Sequence, residues 1–210
     1  MSNTEIAKFN MIEQQIRPWE VLDNQVLTVI EQLNREDFVD PVYRGLAYAD
    51  CQIPVASGVR MLPPTVEGRM LQALLLDSDD QVLEVGSGSG YISACLASLA
   101  GHVRSIDANA DIIERAQANV ARLGLERVEF EQMLLAQLDA PESYDAIAVT
   151  ASLSAVPQNL KQALKIGGRM FIICGYSPVM EALLITRVGA NEWSTQSLFE
   201  TDLPRLQTAG

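Results

Sequence analysis

The stretch Val82-Leu83-Glu84-Val85-Gly86-Ser87-Gly88-Ser89-Gly90-Tyr91 constrains this chain more than any other, because an apolar run ends in three alternate glycines and leads into the apolar helical pattern YISACLASLA. A strand entering a tight turn that opens a helix is the building unit of open parallel α/β sheets, which bind ligands outside the carboxyl ends of their strands. Glycine permits the sharp turn and lets a ligand approach the backbone with no Cβ in the way. The dinucleotide fingerprint G-x-G-x-x-G is not met: Gly90 falls one place early and Tyr91 stands where the third glycine belongs. A nicotinamide cofactor is therefore disfavoured. Glu84, two residues before the first glycine, would repel a pyrophosphate but suits a cationic amino-acid moiety, which favours S-adenosyl-L-methionine. Asp107 follows Gly86 by 107 − 86 = 21 residues, about the spacing at which an acid ending the second strand meets ribose hydroxyls. The expected cofactor set from this loop is Glu84, Gly86, Ser87, Gly88, Gly90 and Asp107. The plainer alternative is a turn that packs helix on strand, with Asp107 capping a helix that starts near Asn109.

Around this loop the chain alternates. From residue 81 the short apolar runs QVLEVG, HVRSID, RVEFEQ, YDAIAVT and GRMFIICG are separated by the helical stretches YISACLASLA, ADIIERAQANVARLG and VPQNLKQAL. Such alternation predicts a mostly parallel sheet with helices on both faces. MEALLITRVG and WSTQSLFETDLP, joined at Gly189-Ala190-Asn191, predict an antiparallel pair at the C-terminal edge. Residues 4–60 read as helical segments broken by Pro18, Pro41 and Pro54, with Val21, Leu22, Val26, Val29, Ile30 and Leu33 forming an apolar face. TVEGRMLQALLL, opened by Pro63 and Pro64, reads as a helix packed on the sheet. The expectation is one domain over residues 1–210, with an N-terminal helical extension (1–63) on an α/β core (64–210).

Fifteen basic and 27 acidic side chains give a net charge of −12, the wrong sign for non-specific binding to nucleic acid or an anionic membrane. No apolar run reaches the roughly 18 residues of a spanning helix, and the first residues lack a secretory core, so a cytoplasmic protein is expected. Cys51, Cys95 and Cys174 are an odd, widely spaced set in mostly apolar surroundings and read as reduced, buried thiols, not a disulfide framework or metal site. His102, the one histidine, lies in LAGHVRSID, away from any nucleophile motif, which argues against a Ser-His-Asp triad. The oligomeric state is not legible.

These residues, together with NREDFVD, LAYAD, YDAIAVTASLSAVP, LKIGGRMFIICG and the closing LLITRV and DLPRL, resemble the protein-L-isoaspartate O-methyltransferases, a branch of the Rossmann-like class I S-adenosylmethionine-dependent methyltransferases, over nearly the whole chain. The resemblance implies methyl transfer from S-adenosyl-L-methionine to the free carboxylate of L-isoaspartyl residues in damaged proteins or peptides. Two departures stand out. Where the family has a Thr-Ile-Ser type triplet that helps to hold cofactor and substrate, this chain has Arg60-Met61-Leu62. Where the family has Gly-Asp-Gly, whose acid faces the adenine amino group, it has Met133-Leu134-Leu135. Leu134 would then form an apolar wall against adenine or simply pack in the core, and Asp139 is an alternative acid. Arg60, or Arg17, could supply the cation for a carboxylate substrate. Trp19 reads as a helix anchor or a groove residue, and Thr150, ending the fourth core strand, as facing the crevice or bonding the strand end. Other functions left open are methylation of another carboxylate or small molecule, and cofactor binding without catalysis.

Overall fold

The computed structural model describes residues 2–56 and 58–207. Its centre is a seven-stranded sheet in the order β5-β4-β3-β6-β7-β8-β9. The strands are β3 (Gln81–Val85), β4 (His102–Asp107), β5 (Val128–Gln132), β6 (Tyr144–Leu153), β7 (Leu164–Tyr176), β8 (Val179–Gly189) and β9 (Glu192–Thr201). Pairs among β3 to β7 are parallel, and β8 and β9 are added antiparallel. Chain order reverses at β3, which has β4 on one side and β6 on the other. That switch point opens a crevice at the strands' carboxyl ends.

The central strands are apolar on both faces because both are covered. Val82, Val103, Ala148 and Phe171 face one cluster, which also takes in α3 (Pro64–Leu74), α4 (Tyr91–Leu99), α5 (Ala110–Ala121) and the N-terminal helices. Leu83, Ile147, Val149 and Ile172 face the other, closed by Leu160 and Ala163 of the short α6 (Gln158–Ala163). Among the described residues no helix is long and apolar enough to cross a membrane. The three cysteines are free thiols, but only Cys95 is buried; Cys51 and Cys174 are half-buried.

The N-terminal segment begins with α1 (Asn3–Met11), opened by a Ser2/Glu5 capping box, and continues to α2 (Asn24–Gln32), capped by Asp23. Val26, Val29 and Ile30 are buried as their spacing predicts, and Val21 is buried ahead of the helix, but Leu22 is 64% exposed and Leu27 is buried instead. Leu22 precedes the cap residue and so does not share the helical period. The helical reading also fails after residue 52: Ile53–Ala56 (β1) and Val59–Met61 (β2) form an antiparallel hairpin, with Pro54 opposite Arg60. Ile53 and Val55 are buried on alternate positions, a period of two that the prolines obscured. Trp19 is neither a buried anchor nor a crevice residue: it is 40% exposed and meets Phe199 of β9 edge-on at 5.6 Å.

Candidate active site

The glycine loop joins β3 to α4 at the switch point, and its glycines differ in task. Gly86 donates its N–H to Ile106 O at 2.8 Å, tying the loop to β4. Gly90 (φ +83°) is a packing residue, since a Cβ there would lie 2.8 Å from Ala116 O of α5. Gly88 (φ +51°) has nothing within 4 Å of where a Cβ would stand, and it lines the crevice. A ligand can therefore reach bare backbone at Gly88.

Two carboxylates flank the loop. Glu84 is fully buried; its Oε2 accepts hydrogen bonds from Ser93 Oγ and Ser105 Oγ, each at 2.5 Å. Ser87 Oγ lies 2.7 Å from Ser105 Oγ, a contact in which either hydroxyl can donate. Oε1 of Glu84 is buried with no hydrogen-bond partner. Burial pushes the Glu84 pKa up to about 8, against the pull of the two serine hydroxyls. Asp107, at the end of β4, is 8% exposed and accepts the Asn109 N–H at 3.0 Å. Burial raises its pKa as well, opposed by the backbone N–H groups of Asn109, Ser87, Gly88 and Ala108. Asn109 itself caps α5.

Arg60, Met61, Leu62 and Thr150 border the same crevice as Gly86, Gly88 and Asp107. Met61 and Leu62 are buried, whereas Arg60 is exposed. Thr150 lies inside β6, three residues before Leu153, and not at the strand's end; its hydroxyl donates to Gly86 O, with Val85 O at 3.1 Å. Gly90 and Leu134 are not among the residues that border the crevice. Leu134 is half-buried just before the 3₁₀ turn Leu135–Gln137, and Asp139 is exposed. Arg17 is taken up by Glu13 at 2.8 Å on the N-terminal surface.

Sequence reasoning missed three parts of the site. Ser93 and Ser105, which hold Glu84, come from different elements and carry no shared motif. The fully buried Arg35 forks onto Glu67 of α3 at 3.0 and 3.1 Å and donates to Ala47 O and to Leu62 O, at 2.6 and 2.7 Å, behind the crevice wall. The C-terminal residues Leu203–Leu206 cross the crevice, leaving a cavity of about 40 Å³ beside the glycine loop.

The sequence family described as protein-L-isoaspartate(D-aspartate) O-methyltransferase matches residues 7–198. Protein-L-isoaspartate O-methyltransferase of Rhodopseudomonas palustris is 37% identical over 190 residues, covering 90% of this chain and 87% of its own. Protein-L-isoaspartate O-methyltransferase 2 of Pelobacter propionicus is 36% identical over 202 residues, covering 94% and 89%. Among solved structures, a Plasmodium falciparum chain described as a β-aspartate methyltransferase, crystallised with S-adenosyl-L-homocysteine, superposes with a TM-score of 0.81 at 20% identity, covering 99% of this chain and 100% of its own. Sheet order, glycine crevice and its paired acids define a class I methyltransferase fold. The chain belongs to the protein-L-isoaspartate O-methyltransferase family.

Proposed function

We propose that this protein transfers the methyl group of S-adenosyl-L-methionine to the free carboxylate of L-isoaspartyl residues in damaged proteins or peptides. The observation that carries the reading is that the glycine loop and both acids lie inside the stretch matched to the family. The residues present fit the cofactor. Glu84 Oε1, buried beside the loop without a donor, suits its α-ammonium group, the open face of Gly88 suits close approach, and Asp107 suits the ribose hydroxyls.

The cofactor, when bound, supplies a sulfonium methyl group that a substrate carboxylate oxygen attacks as the carbon–sulfur bond breaks, leaving a methyl ester and a neutral thioether. This chain has no proton to move in that step, since a carboxylate with a pKa near 4 is already ionised at neutral pH. His102 accordingly stands at the opposite end of β4 from Asp107. The protein's task is alignment of nucleophile, methyl and sulfur, which in well-oriented systems contributes roughly 7–11 kcal/mol. Anion and cation neutralise one another on the way to the transition state, so the apolar side chains of Met61 and Leu62, by excluding water, favour the step. Arg60, exposed at the rim, attracts an anionic substrate to an otherwise acidic protein.

The test uses labelled cofactor with two peptides of one sequence, carrying either an L-isoaspartyl or a normal L-aspartyl linkage. Labelling of the isoaspartyl peptide alone is expected. Tight cofactor binding with no labelling of either would overturn the reading. The missing hydroxyls at Arg60 and Leu62 favour one second reading, methyl transfer to a different carboxylate, for which labelling of a small carboxylic acid in preference to the isoaspartyl peptide would speak.

A further inference from the structure

The chain beyond β9 returns over the carboxyl end of β6. Ser152 N–H donates to Pro204 O at 3.0 Å, Leu206 N–H donates to Ser152 O at 2.9 Å, and the Ser152 hydroxyl donates to Leu203 O at 2.9 Å. These bonds fix Arg205 in the crevice wall, outside the 7–198 stretch matched to the family. Its guanidinium lies over the Tyr176 ring, 4.8 Å from the centroid, and Nη2 donates to Gly175 O. Nη1 is buried with no hydrogen-bond partner, and no carboxylate forms an ion pair with Arg205 among the described residues. A buried donor left unmet is costly, more so on a charged group, and such groups are rare enough to require a reason. The reason offered by position is a ligand. Arg205 stands in a wall shared by two spaces: the narrow crevice, with Gly88, Asp107 and Thr150, and an open outer groove of about 580 Å³ that includes Gln52, Tyr176 and Ser177. Arg60 borders the crevice as well, so two cations line it in a chain of net charge −12.

We propose that Arg205 is a specificity-determining residue that receives a second, non-reacting carboxylate of the substrate, so that the preferred substrates are isoaspartyl peptides with an acidic side chain next to the isoaspartate. This rests on the proposed function above. The reacting carboxylate is the wrong partner for Arg205, because it loses its charge as the ester forms: an arginine upon it would stabilise the ground state more than the transition state and slow the step. A flanking carboxylate keeps its charge throughout. Bound equally in ground and transition state, it lowers KM and leaves kcat alone. The guanidinium fork, with Nη1 already unmet, suits that geometry.

The test compares two isoaspartyl peptides that are identical except for Glu or Gln at both positions flanking the isoaspartate. In the unaltered protein the Glu peptide is expected to show a KM about tenfold lower at equal kcat, as one charge-assisted hydrogen bond provides. Arg205→Leu and Arg205→Gln should each abolish that difference. The readout is a KM ratio within one enzyme, so a reduced amount of folded protein cancels, and either variant alone suffices. Equal KM values in the unaltered protein, a difference carried by kcat, or a preference that survives both substitutions overturns the assignment. Methylation of neither peptide by the unaltered protein overturns the proposed function instead.

Discussion

Glu84 shows what can be read from one residue and what cannot. Its acid type and its place before Gly86 are legible as a loop acid, but its burial and its two serine donors arise only when β3, α4 and β4 pack together. The consequence is measurable. The folded carboxyl keeps its proton up to about pH 8, while the unfolded one releases it near 4.3, so the folded state binds more protons between those values. Its stabilising contribution is full below the unfolded pKa and is lost as pH rises to the folded one, with a slope of up to about 1.4 kcal/mol per pH unit. Denaturant unfolding at pH 5.5 and 7.5 should show this decline in the cofactor-free protein and a much flatter profile in Glu84→Gln; equal slopes would refute it. Asp107 permits a binding prediction. Replacing it with Ala should weaken S-adenosyl-L-methionine at least about tenfold by removing hydrogen bonds to a charged acceptor, as calorimetric titration would show. Its acceptance of the Asn109 N–H makes a parallel melting measurement necessary. Gly88 and Gly90 are indistinguishable in the motif. Only the position of Ala116 O makes the second a packing residue.

Among the elements, alternating strands and helices were legible because each carries its own period, including the antiparallel β8 and β9 on either side of Gly189-Ala190-Asn191. The β1–β2 hairpin was not, since its strands are only four and three residues long and contain a proline. The tail was harder still. Its bonds to Ser152 join residues about fifty positions apart, and nothing in DLPRL announces them. Leu206 reaches the glycine loop: its Cδ1 lies 3.5 Å from where a Cβ on Gly86 would stand. A cavity of about 40 Å³ is far below the roughly 300 Å³ or more of a small-molecule pocket, so the tail must shift to admit a nucleoside. Leu206→Ala lightens that shift, and the apparent affinity of a site open only part of the time rises with its open fraction. Faster cofactor association in stopped-flow fluorescence is the expected outcome; an unchanged rate would mean that another segment limits entry.

For the whole molecule the issue is what binds the N-terminal residues to the core, and the answer was hidden because a buried arginine looks like any other in the sequence. Arg35 lies between Asn34 and the 3₁₀ turn it opens, yet it reaches Glu67 of α3, the Ala47 carbonyl and the Leu62 carbonyl, with its guanidinium 5.7 Å from the Tyr91 ring centroid. Four stretches of chain thus converge on one side chain. Burying two charges gains little net stability over apolar residues of similar shape, whereas removing one partner leaves the other uncompensated. Arg35→Met should therefore cost about 3–5 kcal/mol by denaturant unfolding. Adding Glu67→Leu should restore part of this by removing the stranded acid. Restoration stays incomplete, since Ala47 O and Leu62 O still lack their donor, at about 1–3 kcal/mol for each carbonyl left buried and unmet. The double variant also separates stability from positioning. At a temperature where it is fully folded, the freed Leu62 carbonyl should leave the crevice wall less well fixed and raise KM for the isoaspartyl peptide more than it weakens cofactor binding, which depends on Asp107 and Gly88 across the crevice. Equal losses in both would mean that the arginine supports the fold as a whole and not this wall in particular.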